Sequence, residues 1–234
     1  MKITLLLLLL LFSPHLYSEV KETVTLGADL WCPYNCQPNT ERPGYVVEIA
    51  HSIFTRAGYG FEYKVLPWTR AIKLAENGKI SGIIGAGKKE TPNFIFPSAP
   101  VGISHHTFYT NAFSSWKYNG IDYLRNIQLG VVQSYSYGGL YNKYISIQKN
   151  KPFVQSLAGN GSLKRLIAML VLKRIDVLIE DENVLQYNKK HLGMKEIIVA
   201  KGIAFKENVY IAFSPVINSS SLYASIFDEG IKSM

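Results

Sequence analysis

A layered α/β fold in two halves follows from three features of this 234-residue sequence. Two runs of alternating strand and helix patterns succeed one another, the second starting after the stretch around Tyr109 to Ser115. Hydrophobic residues make up 47% of the chain, enough to bury a core. No internal repeat, low-complexity tract or long linker lies between the runs, so two lobes joined by strands are expected. Strands that alternate with helices also predict parallel pairing.

In the first run, Val24 to Trp31 has the pattern of a strand. Val46, Ile49, Ala50, Ile53 and Phe54 then recur at the spacing of a helix buried on one side. Gly58 is placed to cap that helix, and Phe61 to Leu66 follows as a strand. Pro67 suits the first turn of a helix carrying Trp68, Ala71, Ile72 and Ala75, which Gly78 ends before a strand from Ile80 to Gly85. The second run offers strands at Ile127 to Val132, Phe153 to Leu157, Ile175 to Ile179 and Glu196 to Val199. Between them fall helices over Tyr137 to Gln148, around Leu163 to Val171, and up to about His191. Val209 to Phe213 and a helix from about Ser219 complete the chain.

Residues 1–18 stand apart from this pattern. Met1-Lys2 precedes an apolar run from Leu5 to Phe12, closed by Pro14 and Ser18, which predicts a secretory signal peptide cleaved near Ser18. The run is well short of the roughly 20 residues that span a bilayer, and Glu19 and Lys21 follow at once. The expected product is a soluble periplasmic protein. Its formal charge, +8 over the whole chain, is dispersed in pairs such as Lys88-Lys89, Lys164-Arg165 and Lys189-Lys190. Dispersed charge argues against a nucleic-acid partner and for solubility.

The two cysteines, Cys32 and Cys36, sit four apart in a chain expected to meet an oxidising compartment. A local disulfide is the first reading, with a free thiol pair and a metal site as alternatives. A zinc site would need two more ligands, and no Cys or His lies near enough in sequence. His105-His106 does not supply them, because neighbours on a strand point to opposite faces. No metal or cofactor is expected.

The leader and six short motifs, in order, carry a resemblance. The motifs are the Trp31-x-Pro-Tyr34 loop, Pro-Gly-Tyr before the first helix, Pro67-Trp-x-Arg-Ala71, Phe-x-Phe-Pro-x-x-Pro at 94–100, Leu-Gly-Val-Val-Gln-Ser at 129–134, and Arg174-Ile-Asp-Val-Leu-Ile-Glu-Asp181, all after the leader. Together they resemble family 3 of the bacterial extracellular solute-binding proteins. The resemblance implies the type II periplasmic binding protein fold, with a ligand cleft between lobes joined by two hinge crossings. It divides the chain into the leader at 1–18, a first lobe of 19–110 plus 206–234, and a second lobe of 111–205. The crossings fall near Thr110 to Phe113 and Ala204 to Asn208.

The resemblance also implies a monomer that captures a small polar, amino-acid-like solute, closes on it, and presents it to an ABC-type permease or a membrane sensor. Tyr34 corresponds to the aromatic that packs on the ligand, and Asp181 to the acid that receives an amino group. Gln133, Ser134, Tyr135 and Ser136 fall on a loop whose backbone N–H groups can take a carboxylate. Trp68 is expected as an apolar wall, and Arg70 or Lys88 as the cleft cation. Where amino-acid binders keep an arginine, this sequence has Glu90. Each residue also has a plainer reading: the aromatics as packing, Arg70 as a solvated helix residue, Asp181 as a helix cap.

A catalytic role on the same scaffold, of the dehydratase kind, would rest on Glu180 or Glu90 as an acid of raised pKa. The sequence has no nucleophile elbow, phosphate loop or metal-ligand pattern. A binding protein and not an enzyme is therefore expected.

Overall fold

The computed structural model describes residues 21–234 apart from Asn160 and Lys195, so the expected leader lies outside the described residues. The first lobe opens with β1 (Lys21–Ala28), α1 (Tyr45–Arg56), β2 (Tyr59–Val65), α2 (Trp68–Glu76) and β3 (Gly82–Ala86). β1 pairs in parallel with both β2 and β3. The second lobe holds β5 (Leu129–Val132), α3 (Gly138–Ser146), β6 (Val154–Leu157), α4 (Ser162–Val171), β7 (Val177–Asp181) and α5 (Glu182–His191). Here β5 pairs in parallel with β6 and β7.

Two long strands join the lobes: β4 (Gly102–Asn111) and β8 (Ile198–Phe213). They run antiparallel from Gly102 opposite Val209 to Asn111 opposite Ile198. The last residues of β8 then pair antiparallel with β3. The result is one eight-stranded sheet in the order β2-β1-β3-β8-β4-β7-β5-β6. Parallel pairing thus holds within each lobe, and the middle of the sheet is antiparallel because the crossing strands form a ribbon. The two separate strands expected at Glu196 to Val199 and Val209 to Phe213 are one 16-residue strand. At about 3.4 Å per residue it is some 50 Å long, enough to run through both lobes.

β4 begins to pair with β7 at His106, and Phe108 and Tyr109 already pack in second-lobe clusters with Val177, Ile179, Leu166 and Leu170. The end of β4 therefore packs beside β5, β7 and α4, which an alternating pattern alone does not show.

The first lobe is closed by α6 (Ser220–Lys232), which returns to lie on α1. Phe54 of α1 meets Tyr223 of α6 edge-on at 5.9 Å between ring centres, and both belong to one buried cluster with Phe213 and Phe227. Asp228 on the same helix accepts hydrogen bonds from the N–H groups of Ser98 and Ala99, both at 2.8 Å. This fastens the Phe-x-Phe-Pro segment to the lobe. Gly230 is the point of closest approach, since a methyl group there would lie 2.5 to 2.7 Å from three side-chain atoms of Ile53. Alanine normally favours a helix over glycine by about 1 kcal/mol, but Ile53 is buried and stiff at χ1. Gly230→Ala is expected to destabilise the protein by about 1–3 kcal/mol, read as a lower urea midpoint; a gain in stability would show that α6 does not pack this tightly.

Candidate functional site

The loop after β1 is built against the start of α1. Cys32 and Cys36 form a disulfide, and the Pro33 and Tyr34 carbonyls accept the N–H groups of Tyr45 (3.1 Å) and Val46 (3.0 Å). Two of the donors that a helix start leaves unpaired are satisfied in this way. Gly44 makes the approach feasible: its φ is 107°, and a side chain there would come within 2.5 Å of the Tyr34 carbonyl. The loop presents Trp31 and Tyr34 stacked on each other at 4.3 Å between ring centres.

These two aromatics meet the second lobe at the end of β7. The Trp31 indole N–H donates to Glu180 Oε1 (3.1 Å). The Tyr34 hydroxyl donates to Asp181 Oδ2 (3.3 Å) and accepts from Asn183 Nδ2 (3.0 Å). A third contact joins the lobes where the Tyr135 hydroxyl donates to Asp29 Oδ2. Every residue of β7 is buried, so Glu180 and Asp181 carry carboxyl groups into the core.

Two adjoining cavities lie between the lobes and share Asp29, Trp68 and Tyr135 as walls. The inner chamber, about 40 Å³, is walled by Asp29, Trp31, Asn35, Trp68, Glu90 and Gly85 from the first lobe. His106, Tyr135, Ser136 and Glu207 complete it from the ribbon and the second lobe. The outer cleft, about 1020 Å³, is bordered by Gln37, Arg42, Gln133, Ser134, Leu163, Lys164 and Tyr187 among others. The Trp68 indole N–H donates to Glu90 Oε1 (2.8 Å), and His106 Nε2 lies 3.6 Å from Glu207 Oε1.

Burial pushes the acids at this junction up. Glu180 rises to about 8, with the charges of Asp181 and Asp29 adding to burial and the Asp181 and Trp31 N–H groups opposing it. Glu90 rises to about 7, where burial and the charges of Glu207 and Asp29 outweigh the Trp68 hydrogen bond. Asp29 rises to about 6 through burial, with Tyr135 opposing. Asp29 and Glu90 face the chamber and are half-buried.

Among the expected site residues, Trp68, Gln133, Ser134, Tyr135 and Ser136 stand on cavity walls. Ser134 does so with a left-handed φ of 67°, a strained backbone of the kind that gathers at functional sites. Tyr34 lies behind the wall. Arg70 is exposed on α2 and borders neither cavity. Lys88 sits over the Tyr210 ring at 4.6 Å and the Phe96 ring at 5.7 Å, also away from both cavities. The N–H groups of Gln133 and Tyr135, and of Tyr137 beyond them, already bond to Leu157 O, Val132 O and Asn142 Oδ1, so half of the expected loop is not waiting for a carboxylate.

Asp181 takes the plainer of its two readings. Oδ1 accepts the Val184 N–H at 3.0 Å and caps α5, while Oδ2 accepts Ser104 Oγ at 2.8 Å, His105 N at 3.2 Å and the Tyr34 hydroxyl. It is fully buried and borders neither cavity. The acids that face the inner chamber are Asp29, Glu90 and Glu207, and Glu41 borders the outer cleft. Asp29 had a sequence signal in its place at the end of the first strand, and Glu90 in standing where an arginine was expected. His106 and Glu207 had none beyond being adjacent to His105 and near the second crossing. Among the described residues no group of His, Cys, Asp and Glu is arranged to hold a metal ion.

No family model matches the sequence, and no curated protein matches it. Solved structures do share the fold. A histidine kinase sensor domain with similarity to periplasmic binding proteins gives a TM-score of 0.74 at 17% identity, over 90% of this chain and 89% of that one. The arginine-bound form of a truncated ArgBP from T. maritima gives 0.72 at 15%, over 90% and 95%. The arginine-, lysine-, histidine-binding protein ArtJ from Geobacillus stearothermophilus gives 0.73 at 16%, over 90% of each. The fold is that of the periplasmic binding proteins, as the sequence motifs imply.

Two expectations follow. Asp181→Ala removes a helix cap and leaves buried donors from Ser104, His105 and Tyr34 short of an acceptor, so it should cost roughly 2–4 kcal/mol of stability. Urea unfolding checks this; an unchanged midpoint would return Asp181 to a pure ligand role. The second concerns pH. Carboxyl groups raised by folding hold more protons in the folded than in the unfolded chain between their ordinary range and about 8. Stability from these acids therefore increases as pH falls from 8 towards 5. The melting temperature of the ligand-free protein should rise over that interval, and Glu180→Gln should flatten the rise. A melting temperature that falls steadily from pH 8 to 5 would contradict the burial of these acids.

Proposed function

We propose that this protein is an exported solute-binding protein that holds a small polar solute between its lobes. One observation carries the reading: the walls of the inner chamber come from both lobes, with Trp31, Trp68, Asp29 and Glu207 on one side and Tyr135 and Ser136 on the other. A solute seated there touches both halves at once, so its binding free energy favours the arrangement in which the lobes meet. The lobes divide within the β4–β8 ribbon, near Ser104 on one strand and Lys206 on the other, and the molecule works as a monomer. We take delivery to a membrane transporter as its task. A ligand-sensing role beside a membrane receptor is the second reading, favoured by the likeness to a histidine kinase sensor domain. We read the protein as a binder and not a catalyst; Glu90, with its raised pKa, is the cavity acid that a catalytic role would use.

A thermal-shift screen of the chain without its leader, against amino acids, amines, small carboxylates and short peptides, tests the binding role. Solute at about 100 times its dissociation constant adds about 2.7 kcal/mol, a shift on the order of 5 to 10 °C for a chain this size. A flat response across the panel would remove the solute-binding reading. With a binder in hand, cells lacking the protein should lose uptake of that solute. Intact uptake with a lost signalling response would move the assignment to sensing, and turnover of the bound solute would move it to catalysis.

A further inference from the structure

The inner chamber is chemically one-sided. Asp29, Glu90 and Glu207 face it, and no lysine or arginine stands on its wall among the described residues. Beyond the acids, two buried polar atoms on the same wall have no partner. One is Asn35 Oδ1, on a residue that is 1% exposed; the other is His106 Nδ1, on a residue that is 4% exposed. Asn35 Oδ1 is an acceptor only, and its amide nitrogen is already used on the Asp29 carbonyl. An unpaired buried acceptor costs stability until a donor arrives. The remaining walls are aromatic faces and edges from Trp31, Trp68 and Tyr135.

Resting on the solute-binding reading above, we propose that this chamber takes the charged head of an organic amine or guanidine that carries no carboxylate. Carboxylates and an unpaired amide oxygen converge on a donor-rich cation, and indole faces add cation–π attraction. The chamber, at about 40 Å³, has room for a head group only, while the outer cleft takes the rest of the molecule. A carboxylate one carbon from the ammonium would instead be brought against three acids. The groups expected to receive it are elsewhere: Arg70 is exposed and Lys88 lies over Tyr210. Of the loop N–H groups, those of Gln133 and Tyr135 are already bonded, which leaves Ser134 on the wall of the outer cleft and Ser136 on that of the chamber. Arg42 and Lys164 border the outer cleft but are exposed, where water screens a charge pair to little net value.

Matched pairs differing only by a carboxylate test this directly: agmatine against arginine, and cadaverine against lysine, by calorimetry and thermal shift on the chain without its leader. Agmatine or cadaverine is expected to bind at least about tenfold more tightly than its amino-acid counterpart. Glu90→Gln and Glu207→Gln should each weaken that binding about tenfold or more, with the ligand-free melting temperature unchanged or raised. Arginine or lysine binding as tightly as the decarboxylated partner overturns the inference and leaves solute binding intact. So does a panel in which only neutral or anionic solutes bind, or full affinity in both glutamine variants. If nothing in the broad panel binds, the solute-binding reading fails first and this inference with it.

Discussion

The arrangement of this molecule depends on carboxyl groups buried where its two lobes meet without a cation to answer them. Glu180 and Asp181 end β7 inside the core, and Asp29, half-buried, follows the end of β1. Each is met by a neutral donor from the other lobe: the Trp31 indole, the Tyr34 hydroxyl and the Tyr135 hydroxyl. Neutral donors satisfy hydrogen bonds but do not neutralise charge, so the junction carries an electrostatic cost that raises Asp29 and Glu180. The contact is specific in geometry yet leaves an unfilled demand for positive charge, which suits a site whose occupant comes and goes.

Everything that positions those donors is local to a few turns of chain. The loop from Trp31 to Cys36 is tied by its disulfide and by the first N–H groups of α1, so the two aromatics project from a braced platform. On the other side, the loop before α3 places Tyr135 by way of the left-handed Ser134. The β4–β8 ribbon carries His106 and Glu207 between these two platforms on facing strands. Parts of the chain far apart in sequence, with Trp68 and Glu90 among them, thus supply one chamber, and none of them makes it alone.

Much of the fold was legible because its signals are local. The apolar spacing of Val46 to Phe54, the Pro67 start of α2 and the stripe from Leu166 to Leu170 each report a helix buried on one side, and each is found. The disulfide was legible from the cysteine spacing and the expected compartment. The ribbon was not, because a strand that runs through both lobes keeps its period while its neighbours change. Of the site, Trp68 and the loop from Gln133 to Ser136 were visible in sequence, whereas Arg70 and Lys88 showed only that a cation lay nearby in the chain.

The sequence by itself determined the alternation of strand and helix within each half, the two-lobed class of fold and the presence of Glu90 where an arginine is expected. Those depend on spacing and residue type, which the linear chain displays. Only the tertiary structure decided which charges face the cavity. It turned Asp181 into a buried cap, carried Arg70 and Lys88 outside, and gathered Asp29, Glu90 and Glu207 around one chamber. The reason is physical: the direction in which a side chain points is set by its element's packing, and contacts between residues some 150 apart leave no mark on local pattern.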